Sequence, residues 1–163
     1  MPTQTVDVSE KVIKICKTEW PKHKGDCSGF VKAVAKDLGV FLSGQANDII
    51  LQLSKNWPKA KGGADAASLA MAGKFVIGGL ADNPNGHLVV VVKGPLNRGK
   101  YPTAYWGQLN GVGKENTTIN WSWSVADRDK VSYYYYDIGQ GVQAGGSIVR
   151  VNGWNADSFK NTA

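Results

Sequence analysis

The sequence predicts an α+β fold, with its helices first and an antiparallel β-sheet second. Three observations carry that prediction. Apolar residues recur at helical spacing as far as about residue 72. From residue 75 the apolar period drops from 3.6 to 2. The 20 glycines among 163 residues exceed the usual share of about 7% and supply the turns such a fold needs.

The elements follow in order. Ser9 to about Trp20 reads as a helix capped by Ser9, with Val12, Ile15, Cys16 and Glu19 on one face; Pro21 and Gly25 bracket the next loop. A second helix runs from Cys27 to Leu38, with an apolar stripe of Phe30, Val31, Val34, Ala35 and Leu38 and Gly39 as its stop. Asn47 to Lys55 forms a third helix, with Ile49, Ile50 and Leu53 facing in. Ala64 to Ala72 forms a fourth, opened by Asp65. The strands are Phe75-Val76-Ile77, His87 to Val92, Thr103 to Leu109, Ile119 to Val125, Val131 to Ile138 and Ser147 to Val151. The run Leu88-Val89-Val90-Val91-Val92 is apolar enough to be covered on both faces.

Length and composition bound the rest. One domain spanning 1–163 is the expectation for this length. Apolar residues at 42% and charged residues at 20% exclude a disordered chain, a coiled coil and a collagen-like repeat. Lys+Arg 19 against Asp+Glu 13 leaves a net charge of +6, which suits an anionic partner without selecting one. The lysines are scattered, so a nucleic-acid partner is not expected. No apolar run approaches the roughly 20 residues that span a bilayer. Met1 to Glu10 lacks a basic segment followed by an apolar one. The expectation is a protein made in the cytosol that, if it acts outside, leaves by a route without a cleaved leader or has had its leader removed. With two cysteines, no CxxC and two histidines, neither a metal nor a cofactor is expected.

Cys27 is the strongest chemical candidate. It opens a helix, whose partial positive charge favours thiolate over thiol. Ser28 and Gly29 are small, and the N–H groups of Cys27 and Ser28 suit an oxyanion. Gly29 is expected to clear space beside the nucleophile. Cys16 lies in an amphipathic helical pattern and reads as a small buried side chain, although an oxidised Cys16–Cys27 pair would silence the site. His87 opens the apolar strand after the turn Asn83-Pro84-Asn85-Gly86, where an imidazole can lean toward a helix N-terminus and act as general base and acid. His23, between Lys22 and Lys24, ranks below it. A third group should lie on the strand Thr103 to Leu109. Gln108 and a main-chain carbonyl near Trp106 are its candidates. Asp127-Arg128-Asp129 reads as a turn with local ion pairs. Trp121, Trp123 and Tyr133 to Tyr136 read as sheet aromatics with one face buried, in preference to a stacking platform.

Asp26-Cys27-Ser28-Gly29-Phe30-Val31, followed downstream by Gly86-His87-Leu88-Val89-Val90-Val91, resembles the NlpC-type papain-like cysteine peptidases. Three blocks resemble the first family of type VI secretion amidase effectors more closely. They are Cys27 to Val40, Gly94-Pro95-Leu96-Asn97-Arg98-Gly99-Lys100-Tyr101-Pro102, and Asp127-Arg128-Asp129-Lys130-Val131-Ser132-Tyr133-Tyr134. They lie in one order over about residues 10–138. The resemblance implies a papain-like fold and an antibacterial peptidoglycan peptidase that cuts between γ-D-glutamate and meso-diaminopimelate. It also implies delivery by type VI secretion, through its tube protein, into the periplasm of a rival Gram-negative cell, and a cognate immunity protein in the injecting cell. It makes Cys27 the nucleophile and His87 the general base, and it puts the third position near Trp106, acting through its main chain. A same-fold enzyme cutting the D-alanine cross-link or another wall amide, and a non-catalytic wall-binding module, are the alternatives. Residues 140–163 lie beyond the resemblance and have no assigned role.

Overall fold

The computed structural model describes residues 7–138. It is α+β, with four helices preceding a five-stranded antiparallel sheet. Helix α1 spans Val8–His23. Its cap is Asp7, not Ser9: the Asp7 carboxylate accepts from the Glu10 N–H, and the Ser9 hydroxyl donates to that carboxylate at 2.6 Å. The helix also continues past Trp20 through Pro21. Proline there removes only one helical N–H, in the last turn, where the loss is tolerable. Helix α2 is Cys27–Asp37, α3 is Ala46–Asn56 and α4 is Gly63–Met71, each within a residue of its expected bounds.

The strands are β1 Phe75–Leu80, β2 His87–Val91, β3 Thr103–Trp106, β4 Lys114–Thr118 and β5 Ser132–Tyr136. Their order is β4-β3-β2-β1-β5. Side chains alternate across β2 and give each face its own core. Leu88, Val90 and Val92 pack with Phe30, Val31 and Val34 of α2 and with Ile49 and Leu53 of α3. Val89 and Val91 pack with Ala66 and Ala70 of α4, Trp106 and Ile119. β2 is therefore covered on both sides, as its unbroken apolar run predicts. The tyrosine run splits the same way: Tyr134 joins the first cluster and Tyr133 the second. Both rings are buried, so neither offers a stacking platform.

Three expected strands differ from the observed ones by three residues or more, and the first of them runs on past Ile77 to Leu80. The strand beginning at Thr103 ends at Trp106, three residues early, because Gly107 turns to pass beneath the α1–α2 loop. Residues 119–125 are not a strand. Pairing falls instead on Lys114–Thr118, and a 3-10 turn follows over Ile119–Trp121. There the backbone bonds are local: the Ser122 and Trp123 N–H groups both return to the Ile119 carbonyl, at 2.8 and 3.2 Å. The alternating tryptophans mimic a strand, but Trp121 is exposed and Trp123 packs against the α4-side core. Asp127-Arg128-Asp129 is a turn in which Asp127 pairs locally, with Lys130; Asp129 instead pairs with the distant Lys100 and accepts from the Tyr101 hydroxyl at 2.6 Å. The expected strand Ser147 to Val151 lies outside the described residues. Among the described residues, no helix is long and apolar enough to cross a membrane.

Candidate active site

The α1–α2 loop is clamped onto the end of β3, and the clamp places the N-terminus of α2. The Trp20 indole N–H donates to the Trp106 carbonyl at 2.9 Å. The N–H groups of Gln108 and Gly113 donate to the Lys24 carbonyl at 3.0 and 2.8 Å. Only a residue without Cβ fits at 107, because a Cβ there would meet the carbonyl oxygens of His23 and Asp26. Cys27 is the first residue of the helix thus docked. Asp26 caps it, with Oδ1 accepting the Gly29 N–H at 3.0 Å. The Gly29 Cβ position points at the Asp26 carboxylate. Gly29 therefore makes room for the cap, rather than clearing space beside the sulfur. The cap takes the third N–H of the helix and leaves those of Cys27 and Ser28 without helical acceptors. Both lie against the Cys27 sulfur.

His87 arrives from the other side. Asn47 of α3 ties down the turn before it, donating to the Asp82 carbonyl at 2.8 Å and accepting from the Asp82 N–H at 3.2 Å. His87 then pairs with Leu80 as the first residue of β2. The next N–H along, that of Leu88, lies near enough to the Cys27 sulfur to pull its thiol down. The nucleophile candidate thus rests on the strand that carries the base candidate. Cys27 and His87 line one pocket of about 300 Å³. Asp26, Ser28, Gln45, Asn85, Gln108 and Ser122 give that pocket a polar lining. Ser28 Oγ lies 3.0 Å from Gln45 Oε1 and 3.1 Å from Asp26 Oδ1, which ties α2 to the start of α3.

The electrostatics favour an uncharged pair at rest. Burial pushes the Cys27 thiol above its ordinary value; N–H groups, first that of Leu88, pull the other way, and the Asp26 charge adds to the rise. Burial lowers His87 to about 4, so its imidazole is neutral at pH 7. The expected helix-end preference for thiolate is outweighed by desolvation. Cys16 is fully buried, pushed well up by burial, and both cysteines are free.

The remaining candidates separate clearly. His23 sits at the end of α1, 3.7 Å from the Glu19 carboxylate, and does not line the pocket. The Trp106 carbonyl is taken by Trp20, and the Trp106 ring is buried in the α4-side core. Gln108 lines the pocket. The observed partner of His87 is Ser122, whose Oγ lies 2.6 Å from Nε2.

No protein-family model matches the chain. A curated relative, the peptidoglycan amidase Tse1 of Pseudomonas aeruginosa, is 38% identical over 138 residues, covering 78% of this chain and 90% of the relative. The chain belongs to the type VI secretion amidase effectors. It is accordingly a hydrolase. Within this amidase, sequence reasoning overlooked Ser122. The residue stood inside an expected strand, and no local pattern links it to His87, 35 positions away. Gln45 and Asn85 were missed for a similar reason: each is a polar loop or cap residue that only the tertiary fold brings to the pocket.

Proposed function

We propose that this amidase is an antibacterial DL-endopeptidase that hydrolyses the γ-D-glutamyl–meso-diaminopimelate bond of peptidoglycan stem peptides. In this reading it is passed by type VI secretion, through contact with the tube protein, into the periplasm of a target Gram-negative cell, and a cognate immunity protein shields the sender. The observation that carries the reading is that Cys27, at the start of α2, and His87, at the start of β2, line the same pocket. The identity with a peptidoglycan amidase supplies the substrate class.

The chemistry is acyl transfer. Neutral His87 takes the Cys27 proton as the sulfur bonds to the γ-D-glutamyl carbonyl carbon. The carbonyl oxygen becomes an oxyanion, held by the N–H groups of Cys27 and Ser28. The carbon–nitrogen bond breaks as imidazolium returns its proton to the leaving amine. Water, deprotonated by His87, then attacks the thioester, the carbon–sulfur bond breaks, and Cys27 regains its proton. Burial serves this sequence, because a weakly basic imidazole is a strong acid once charged.

Purified sacculi digested with the protein and with Cys27→Ala, and analysed by mass spectrometry, test the reading. New termini at D-glutamate, absent with Cys27→Ala, are expected. Termini at D-alanine would indicate a cross-link peptidase instead, and binding without cleavage a wall-binding module. Release by Cys27→Ala at the wild-type rate would remove Cys27 from the chemistry.

A further inference from the structure

The segment after β4 carries a device aimed at His87. Ile119 is fully buried in the α4-side core, and its N–H donates to the Pro102 carbonyl at 3.0 Å. The 3-10 turn closing on Ile119 fixes the next residues through the Ser122 and Trp123 N–H groups. Ser122 and Trp123 then hold the imidazole from two directions. Ser122 Oγ is 2.6 Å from Nε2. The Trp123 ring stands edge-on to the imidazole, with centroids 5.0 Å apart and planes at 70°. Residues 119–123 thus anchor a hydroxyl and an aromatic wall against one imidazole.

We propose that Ser122 is the positioning residue of the site: its hydroxyl accepts a hydrogen bond from His87 Nε2–H and so holds the imidazole in the tautomer whose Nδ1 can take the Cys27 proton. This rests on the Cys27–His87 reading above. The hydroxyl can accept or donate, so the contact alone fits either tautomer. The chemistry selects one. A neutral imidazole carries a single ring proton, and a base must present its bare nitrogen to the thiol. With Nε2 engaged by Ser122, that nitrogen is Nδ1. The same hydrogen bond survives when His87 becomes imidazolium, because Nε2 stays protonated throughout the cycle. Ser122 therefore takes the place that the sequence assigned to Trp106 or Gln108. Its N–H bond to Ile119 belongs to the main chain, so truncating the side chain leaves the turn intact.

Nitrogen chemical shifts of the full chain, which has two histidines, report the tautomer directly. His87 is expected as Nε2–H in the wild type and as a mixture in Ser122→Ala. Turnover on muropeptides should fall about tenfold in Ser122→Ala, the factor an ordinary hydrogen bond is worth, with KM unchanged. Ser122→Thr, which keeps the hydroxyl, should restore both the tautomer and the turnover. A wild-type His87 found as Nδ1–H overturns the proposal. So does a Ser122→Ala variant with wild-type tautomer and turnover. If Cys27→Ala still cleaves, the Cys27 mechanism fails by itself, and the tautomer measurement still reports on the Ser122 contact.

Discussion

Replacing Gly107 with alanine tests whether the clamp on β3 places the nucleophile. A Cβ at 107 would lie 2.6 Å from the Asp26 carbonyl oxygen and nearer still to that of His23. Carbon and oxygen rest at about 3.3 Å, so the loop or strand must give by more than about 0.7 Å. Neither side yields freely. Both clashing atoms are backbone, and three hydrogen bonds pin the junction, from Trp20 to Trp106 and from Gln108 and Gly113 to Lys24. Overpacking of this kind costs about 1–3 kcal/mol. At about 3 °C per kcal/mol for a chain of this length, Tm should fall by about 3–9 °C. Activity should suffer more than stability, because the displaced residues are Asp26 and Cys27 while His87 stays on β2. A misplacement near 1 Å costs about a hundredfold, so kcat/KM should fall by about ten- to a hundredfold. Thermal melts and muropeptide turnover measure the two effects. Gly111→Ala is the control, since its Cβ would meet nothing nearer than 3.7 Å. A Gly107→Ala protein that melts and cuts like wild type, or a control that falls equally, would refute the clamp.

Two further outcomes follow from the charge states. A histidine titrates near 6.5 in the unfolded chain, and burial brings His87 to about 4 in the fold. Between those values the unfolded state binds more protons, so stability rises with pH. The contribution of neutral His87 is complete above about pH 6.5 and is lost as pH falls through 4, reaching at most about 3.5 kcal/mol at about 1.4 kcal/mol per unit. Between about pH 7.5 and about pH 4.5 the urea midpoint should therefore drop further for wild type than for His87→Gln; equal drops would contradict the burial of the imidazole. Iodoacetamide should add one group, at Cys27, slowly at neutral pH and faster as pH climbs past the ordinary thiol range. A rate already at its plateau between about pH 5 and about pH 7 would show a preformed thiolate instead.

Most of the fold was legible because its signals are local. The stripe Phe30, Val31 and Val34 and the run from Leu88 to Val92 each state their own period, and the helices and strands they mark stand within a residue or two of expectation. The errors fall where a tertiary contact overrides a local pattern. Alternating Trp121 and Trp123 imitate a strand, yet Ile119 is buried and its N–H is drawn to the Pro102 carbonyl, and the chain coils there. The strand through Gln108 stops early because Gly107 serves the α1–α2 loop rather than the sheet. The site divides similarly. Cys27 and His87 are legible because each begins an element. Ser122 begins nothing, and its relation to His87 exists only after β4 and the 3-10 turn have folded back across the pocket.

The charge state of Cys27 shows why position along an element is a weaker guide than burial. A helix end offers an anion about 0.3–1 kcal/mol when exposed, while desolvating a thiolate can move its pKa by several units. Cys27 is buried, and its thiol is pushed up despite the N–H groups of Leu88, Ser28 and its own residue. These donors still matter, because they stabilise the thiolate at the moment it forms. In the proposed reaction His87, lowered by the same burial, would hold the thiol proton weakly and pass it on to the leaving amine. A site built this way stores no ion pair at rest. On the proposed mechanism charge would develop only as the proton moves, toward a helix end and a Leu88 N–H already beside the sulfur.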